Sequence, residues 1–225
     1  ARQWRSIRDA AASLRPRGCY SVLTIVDYGA GNLRSVYMAF RRLGIEARVS
    51  DDPRDLSAAE AIVLPGVGAF GDNIGRIRAR GLEAPLLAAI RADVPFLGIC
   101  LGLQMLFEVS DEMGEYRGLG VLAGRVRRFP TGLHVPQMGW NQVKQARPSA
   151  LWRDLPDDSY VYLVHSFYVQ PQDPTVVIGT TDYGVTYASA VGRGNLWGIQ
   201  FHPEKSQDVG ARILHNFSLA AGLVR

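Results

Sequence analysis

No apolar run in this chain approaches the ~20 residues that a membrane-spanning helix requires, although 47% of its 225 residues are hydrophobic. The apolar residues are therefore available for a core, and the length suffices for one sizeable domain with a well-buried interior. Cysteine is scarce: only Cys19 and Cys100 are present. The two make no metal-ligand spacing. A disulfide between them would consume Cys100, whose sequence context is that of a reactive thiol, so a reducing compartment, the cytoplasm, is expected. An excess of charge is also missing from most of the chain. The formal charge of +4 arises within residues 1–20, where Arg2, Arg5, Arg8, Arg15 and Arg17 oppose Asp9 alone. The remainder is balanced, which gives no basic face for nucleic acid. The Arg-rich head resembles a transit peptide in composition but has no apolar core of a secretory signal. It is read as an N-terminal extension over 1–20, peripheral to a domain over 21–225. There is no internal repeat and no low-complexity linker.

What is present is an alternation of short apolar runs and helical stretches. Val22 to Val26 reads as a strand, and Asn32 to Leu43 as a helix stopped by Gly44. Apolar runs at Ala61–Leu64 and Pro95–Ile99 bracket a helical stretch from Leu82 to Arg91. Such alternation predicts an α/β fold with a mixed, mostly parallel central sheet flanked by helices. After Arg125 the pattern turns to strands, at Arg125–Phe129, Tyr160–Val164, Val176–Thr181, Val185–Ala188 and Leu196–Phe201. A helix from about Asp208 to Ala220 closes the chain.

Three segments carry chemistry. The first is Gly98-Ile99-Cys100-Leu101-Gly102, where a strand meets an expected amphipathic helix from Leu101 to Glu108. A cysteine between glycines at such a turn has the form of a nucleophile elbow. The glycines permit a strained, closely packed backbone, and the helix N-terminus would favour a thiolate. An inert buried cysteine fits the pentapeptide equally well, so the sulfur needs a partner. Four histidines are available, His134, His165, His202 and His215. His202 lies in F-H-P-E-K after an apolar run; in extended chain His202 and Glu204 would face the same side. Glu204 would then orient the ring while its other nitrogen faces Cys100. His165 is the rival base, but no acid sits at a matching offset, so it is read as structural.

The third segment is Leu64-Pro65-Gly66-Val67-Gly68, after the second apolar run. It is either a turn or a loop whose amides form an oxyanion hole, with Val67 as one donor and Leu101 as the other. No Gly-Lys-Ser/Thr follows, which excludes a phosphate-binding loop of that kind.

Cysteine elbow, glycine-rich loop and late His-Pro-Glu, in this order, resemble the class I (triad) glutamine amidotransferases. Two further motifs, Asp27-Tyr28-Gly29-Ala30-Gly31-Asn32 and Val135-Pro136-Gln137-Met138-Gly139-Trp140-Asn141, resemble the glutaminase subunits of imidazole glycerol phosphate synthase, from about Val22 to the C-terminus. The resemblance implies that Cys100, His202 and Glu204 release ammonia from glutamine without a metal or other cofactor. It also implies a heterodimer in which ammonia passes to a (β/α)8-barrel cyclase subunit. Gly66, Gly68, Gln104, Glu112, Ser166 and Phe167 would form the glutamine pocket, Glu112 meeting the substrate's ammonium. Gln137, Met138, Trp140, Asn141, Tyr162 and Lys205 would lie at the partner interface or gate. Rival readings are another class I amidotransferase, a cysteine hydrolase of a different small substrate, and a non-catalytic docking module.

Overall fold

The computed structural model describes residues 22–224. The basic head at 1–20, with Cys19, lies outside the described residues. Five parallel strands form the half of the sheet that bears the site: β1 (Leu23–Val26), β2 (Ala47–Ser50), β3 (Ala61–Gly66), β4 (Phe96–Cys100) and β13 (Leu196–Ile199), in the order β2-β1-β3-β4-β13. Beyond β13 the sheet becomes mixed. It continues through β12 (Thr186–Arg193), β10 (Phe167–Pro171), β7 (Leu122–Arg128), β5 (Phe107–Ser110) and β6 (Tyr116–Arg117), with antiparallel pairings except β5 with β7. A branch leaves β12 through β11 (Val177–Asp182) to β8 (Gln137–Gln145) and β9 (Ser159–His165).

The continuous apolar runs that predicted buried strands are covered on both faces. Side chains alternate along a strand, so Ile62 and Leu64 of β3 join one cluster and Ala61 and Val63 the other. The first cluster is covered by α3 (Phe70–Ala79) and α4 (Glu83–Arg91), through Ile74, Ile77 and Leu86. The second is covered by α1 (Leu33–Arg42) and α6 (Gln207–Ala220), through Val36, Phe40, Ile213 and Phe217. Each such side chain, fully buried, contributes about 1.5–3 kcal/mol of transfer free energy. Among the described residues no helix is long and apolar enough to cross a membrane.

The expected fold class holds, and one element within it is corrected. The helix after Cys100 is a single turn, α5 (Leu101–Gln104), and not a helix to Glu108. Its continuation is buried, at Met105, Leu106 and Phe107, so it has no polar face to present to solvent. Instead the carbonyls of Met105, Leu106 and Phe107 accept from the amides of Leu119, Val121, Leu122 and Gly120, and Phe107–Ser110 becomes strand β5. Tertiary pairing has overridden the local helical pattern. Elements that the sequence reading passed over include β2, α2 (Pro53–Ser57), α3, β8 and β10.

Candidate active site

Three glycines make the elbow possible. Cys100 ends β4 and caps α5 at φ 54°, ψ −110°, a conformation that costs a non-glycine residue about 1–3 kcal/mol. A Cβ at Gly102 would run into the Leu64 carbonyl of β3, and one at Gly66 would lie 2.7 Å from the Gly102 nitrogen and the Leu101 Cβ. A Cβ at Gly98 would stand 2.8 Å from the Gly102 carbonyl carbon. Without these Cβ atoms β3, β4 and α5 interlock, and Cys100 sits 6% exposed at their junction.

The histidine arrives by strand register. β13 pairs with β4 at Ile199 and Ile99, so three residues later His202 stands over the elbow, its amide donating to the Tyr162 carbonyl at 2.9 Å. The extended geometry expected for His202 and Glu204 is not what brings them together. Pro203–Lys205 is a 3-10 turn, opened by Pro203 with its preset φ, and it folds Glu204 back so that His202 Nδ1 donates to its Oε1 at 2.9 Å. Both side chains are buried, 4% and 1% exposed. Burial by itself would lower the pKa of His202. Its interactions with Cys100 and Glu204 outweigh that and raise it from 6.5 to about 10. The site therefore favours an imidazolium facing Cys100. A one-turn α5 has little macrodipole, and the polar side chains beside the sulfur are those of His202 and Gln200.

Gln200 was not singled out in the sequence. It is fully buried, and its Nε2 donates to Cys100 Sγ at 3.6 Å. It lies two residues before His202, a spacing that faces the same side in extended chain and was the one signal available.

The glycine loop runs beside the nucleophile, with Gly66 in register with Cys100. The Tyr28 hydroxyl donates to the Pro65 carbonyl at 2.8 Å, and Asn73 Nδ2 to the Val67 carbonyl at 2.9 Å. Between these anchors Val67 is 40% exposed, and Gly68 adopts φ +93°. Leu101 begins α5, where a helix amide has no intrahelical acceptor. Glu112 is held next to this loop: its Oε2 accepts from the Phe70 amide at the start of α3, at 2.7 Å.

Gln104 is buried, and both hydrogens of its amide are engaged, with the Phe167 carbonyl at 2.9 Å and Gln200 Oε1 at 3.1 Å. The Ser166 carbonyl accepts from the Phe129 amide. His165 donates from Nδ1 to the Phe167 carbonyl at 2.8 Å, and its Nε2 meets the Tyr187 hydroxyl at 3.2 Å. Burial lowers its pKa to about 4, so it is neutral, with Nδ1 as its donor.

The residues expected at an interface divide by strand alternation. Met138 and Trp140 of β8 are exposed, 65% and 47%, as is Tyr160 of β9. The Trp140 and Tyr162 rings meet edge to face, and Lys205 Nζ lies 5.4 Å from the Tyr162 ring. A cleft of about 440 Å³ opens on this face, lined by Trp140, Tyr160, Ser206, Gln207, Asp208 and Val209. Gln137 points inward instead, 3% exposed, with the Tyr187 hydroxyl donating to its Oε1. Asn141 donates to the Asp182 carbonyl, bracing β8 against β11.

Residues 24–221 match the family model described as glutamine amidotransferase class-I. The chain is 49% identical over 196 residues to the imidazole glycerol phosphate synthase subunit HisH of Desulfitobacterium hafniense strain Y51, covering 87% of this chain and 93% of that protein. It is 51% identical over 201 residues to the same-named subunit of Rhodopirellula baltica, covering 88% and 98%. A solved structure titled as a crystal structure of glutamine amidotransferase superposes with TM-score 0.71 at 22% identity, covering 88% of this chain and 98% of that one; at that identity the likeness shows the fold. The chain belongs to the class-I glutamine amidotransferase family, and within it to the HisH subunits of imidazole glycerol phosphate synthase.

Proposed function

We propose that this chain is the glutaminase of a two-subunit synthase of histidine biosynthesis, hydrolysing glutamine and passing the ammonia to a (β/α)8-barrel cyclase subunit. That partner uses it to form imidazole glycerol phosphate and an aminoimidazole carboxamide ribotide. The observation that carries the reading is the strained elbow at Cys100 facing a buried His202–Glu204 pair.

The Cys100 thiolate adds to the side-chain amide carbon of glutamine, and the developing oxyanion is met by the amides of Val67 and Leu101. The His202 imidazolium gives its proton to the departing ammonia as the tetrahedral adduct collapses to a thioester. Neutral His202 then takes a proton from water, the resulting hydroxide attacks the thioester, and glutamate leaves with the thiolate and imidazolium restored. Glu204 fixes the ring's tautomer through Nδ1 and balances its charge. Glu112 receives the substrate's ammonium beside Gly66 and Gly68, with the backbone at Ser166 and Phe167 completing the pocket near Gln104.

The partner docks on the exposed aromatic face of β8 and β9, at Met138, Trp140 and Tyr162 with Lys205. Large exposed aromatics of this kind serve as interface anchors, and this face opens onto the cleft lined by Trp140 and Tyr160. Gln137 and Asn141 brace that face from behind. Docking turns the Val67 amide toward the substrate, so the free subunit is a poor glutaminase. A nucleophile that must stay reduced places the enzyme in the cytoplasm.

The test is ammonia release from glutamine by the chain alone, then with the cyclase subunit and its nucleotide ligand, where strong stimulation is expected. In the complex, Cys100→Ser abolishes glutamine-dependent synthesis and spares synthesis from added ammonium salt. Full turnover by the isolated chain refutes the gating. Loss of the ammonium-dependent reaction in Cys100→Ser refutes the division of labour.

A further inference from the structure

We propose that Gln200 is a positioning residue for the nucleophile, its side-chain amide holding the Cys100 thiolate and being held in that sense by a buried relay through Gln104 to the Phe167 carbonyl. The inference rests on the glutaminase reading and adds a donor to its thiolate.

The relay fixes which end of Gln200 faces the sulfur. A backbone carbonyl can only accept, so Gln104, bound to the Phe167 carbonyl at 2.9 Å, presents its NH2 group there. The second hydrogen of that group points to Gln200, 3.1 Å away, and demands an acceptor, Oε1. The Nε2 of Gln200 is thereby turned toward Cys100 Sγ, 3.6 Å distant. An amide free to flip would offer its oxygen to the thiolate half of the time; this one cannot without breaking a buried bond. The same Phe167 carbonyl also accepts from His165 Nδ1 at 2.8 Å. Gln200, Gln104 and His165 are each at most 6% exposed. The backbone of Gln200 is itself anchored, its amide donating to the Ser189 carbonyl of β12 at 2.8 Å.

A neutral donor does what a second cation beside the sulfur cannot. It favours the thiolate over the thiol without competing with His202 for the proton. It is also in place when the thiolate is expelled from the acyl-enzyme. The titratable groups that interact with the sulfur are His202, Tyr28 and Tyr187, and none of them is altered by substituting Gln200.

The experiment is the pH profile of Cys100 alkylation by iodoacetamide, read by mass spectrometry of the Cys100 peptide so that Cys19 does not contribute. It needs no glutamine turnover, so its outcome is separate from that of the glutaminase assay. Gln200→Leu removes the donor and is expected to raise the midpoint by about one unit, a roughly tenfold loss of alkylation rate below it. Glutamine-dependent kcat in the complex falls alongside, with KM little changed. Gln200→Glu matches the native shape, keeps the bond from Gln104 and places a carboxyl against the sulfur. It raises the midpoint further, and it carries the test if the leucine variant fails to fold by circular dichroism. A wild-type midpoint in either folded variant overturns the proposal.

Discussion

Replacing Tyr28 by phenylalanine removes one oxygen atom and tests whether the oxyanion loop is held from below. The Tyr28 ring is fully buried at the end of β1, and its hydroxyl donates to the Pro65 carbonyl at 2.8 Å. Two residues on, Asn73 holds the Val67 carbonyl, so the Gly66–Val67 peptide hangs between two anchors. Phenylalanine keeps the packing and deletes the first anchor. Losing a buried bond of this kind costs about 1 kcal/mol, or about 2 kcal/mol where no water can replace it. In a domain of this size each kcal/mol corresponds to about 2–4 °C in Tm, so a fall of roughly 2–8 °C is expected in a circular-dichroism melt. The catalytic effect is bounded by the loss of one oxyanion donor, about 10²–10³ in kcat. A loosened loop should give a drop of about tenfold in the activated complex. Tyr160→Phe, at a site 55% exposed, serves as control and should stay within about 0.5 kcal/mol of wild type. Wild-type Tm together with wild-type kcat in Tyr28→Phe would refute the idea that this hydroxyl holds the loop.

Gly102→Ala is expected to destabilise the chain by about 3 kcal/mol or more in urea unfolding, because its Cβ meets the Leu64 backbone, which cannot retreat. Gly75→Ala, inside α3 with open space around it, should instead stabilise by about 0.5–1 kcal/mol; equal effects at the two positions would sink the steric argument. The raised pKa of His202 makes stability depend on pH in one direction. Its contribution is complete below the unfolded value of 6.5 and is lost as pH rises through about 10. Tm should therefore fall on the alkaline side, and in Glu204→Gln, which removes one of the causes, the fall should begin at lower pH. Coincident Tm–pH curves for the two proteins would contradict this assignment.

Strands β1, β3, β4 and β13 of the parallel half were legible because burial on both faces leaves an unmistakable apolar run, as at Ala61–Leu64, whereas edge strand β2 buries only Ser50 fully and was passed over; the elbow was legible because it demands glycines at fixed offsets around Cys100. The His-Pro-Glu segment was legible by residue type, though the mechanism of its pairing was misread: a 3-10 turn, not an extended strand, brings Glu204 to His202. The helix after Cys100 was overextended because Leu103, Met105 and Leu106 satisfy helical and buried-loop environments alike, and only the amides of 119–122 decide between them. Gln137 was grouped with Met138 and Trp140 by motif, whereas strand alternation turns it inward.

The fold class was legible in the sequence alone, and Cys100, His202 and Glu204 stood out as candidates, since each of these rests on residue types at short spacing. The tertiary structure alone decided what surrounds the sulfur. Gln200, Gln104 and His165 come from three distant stretches of chain, and their contacts follow from which donor meets which acceptor after β13, β4 and β9 have taken their places in the sheet. Hydrogen bonds between side chains remote in sequence leave no periodicity to read, because their geometry exists only once packing has fixed it.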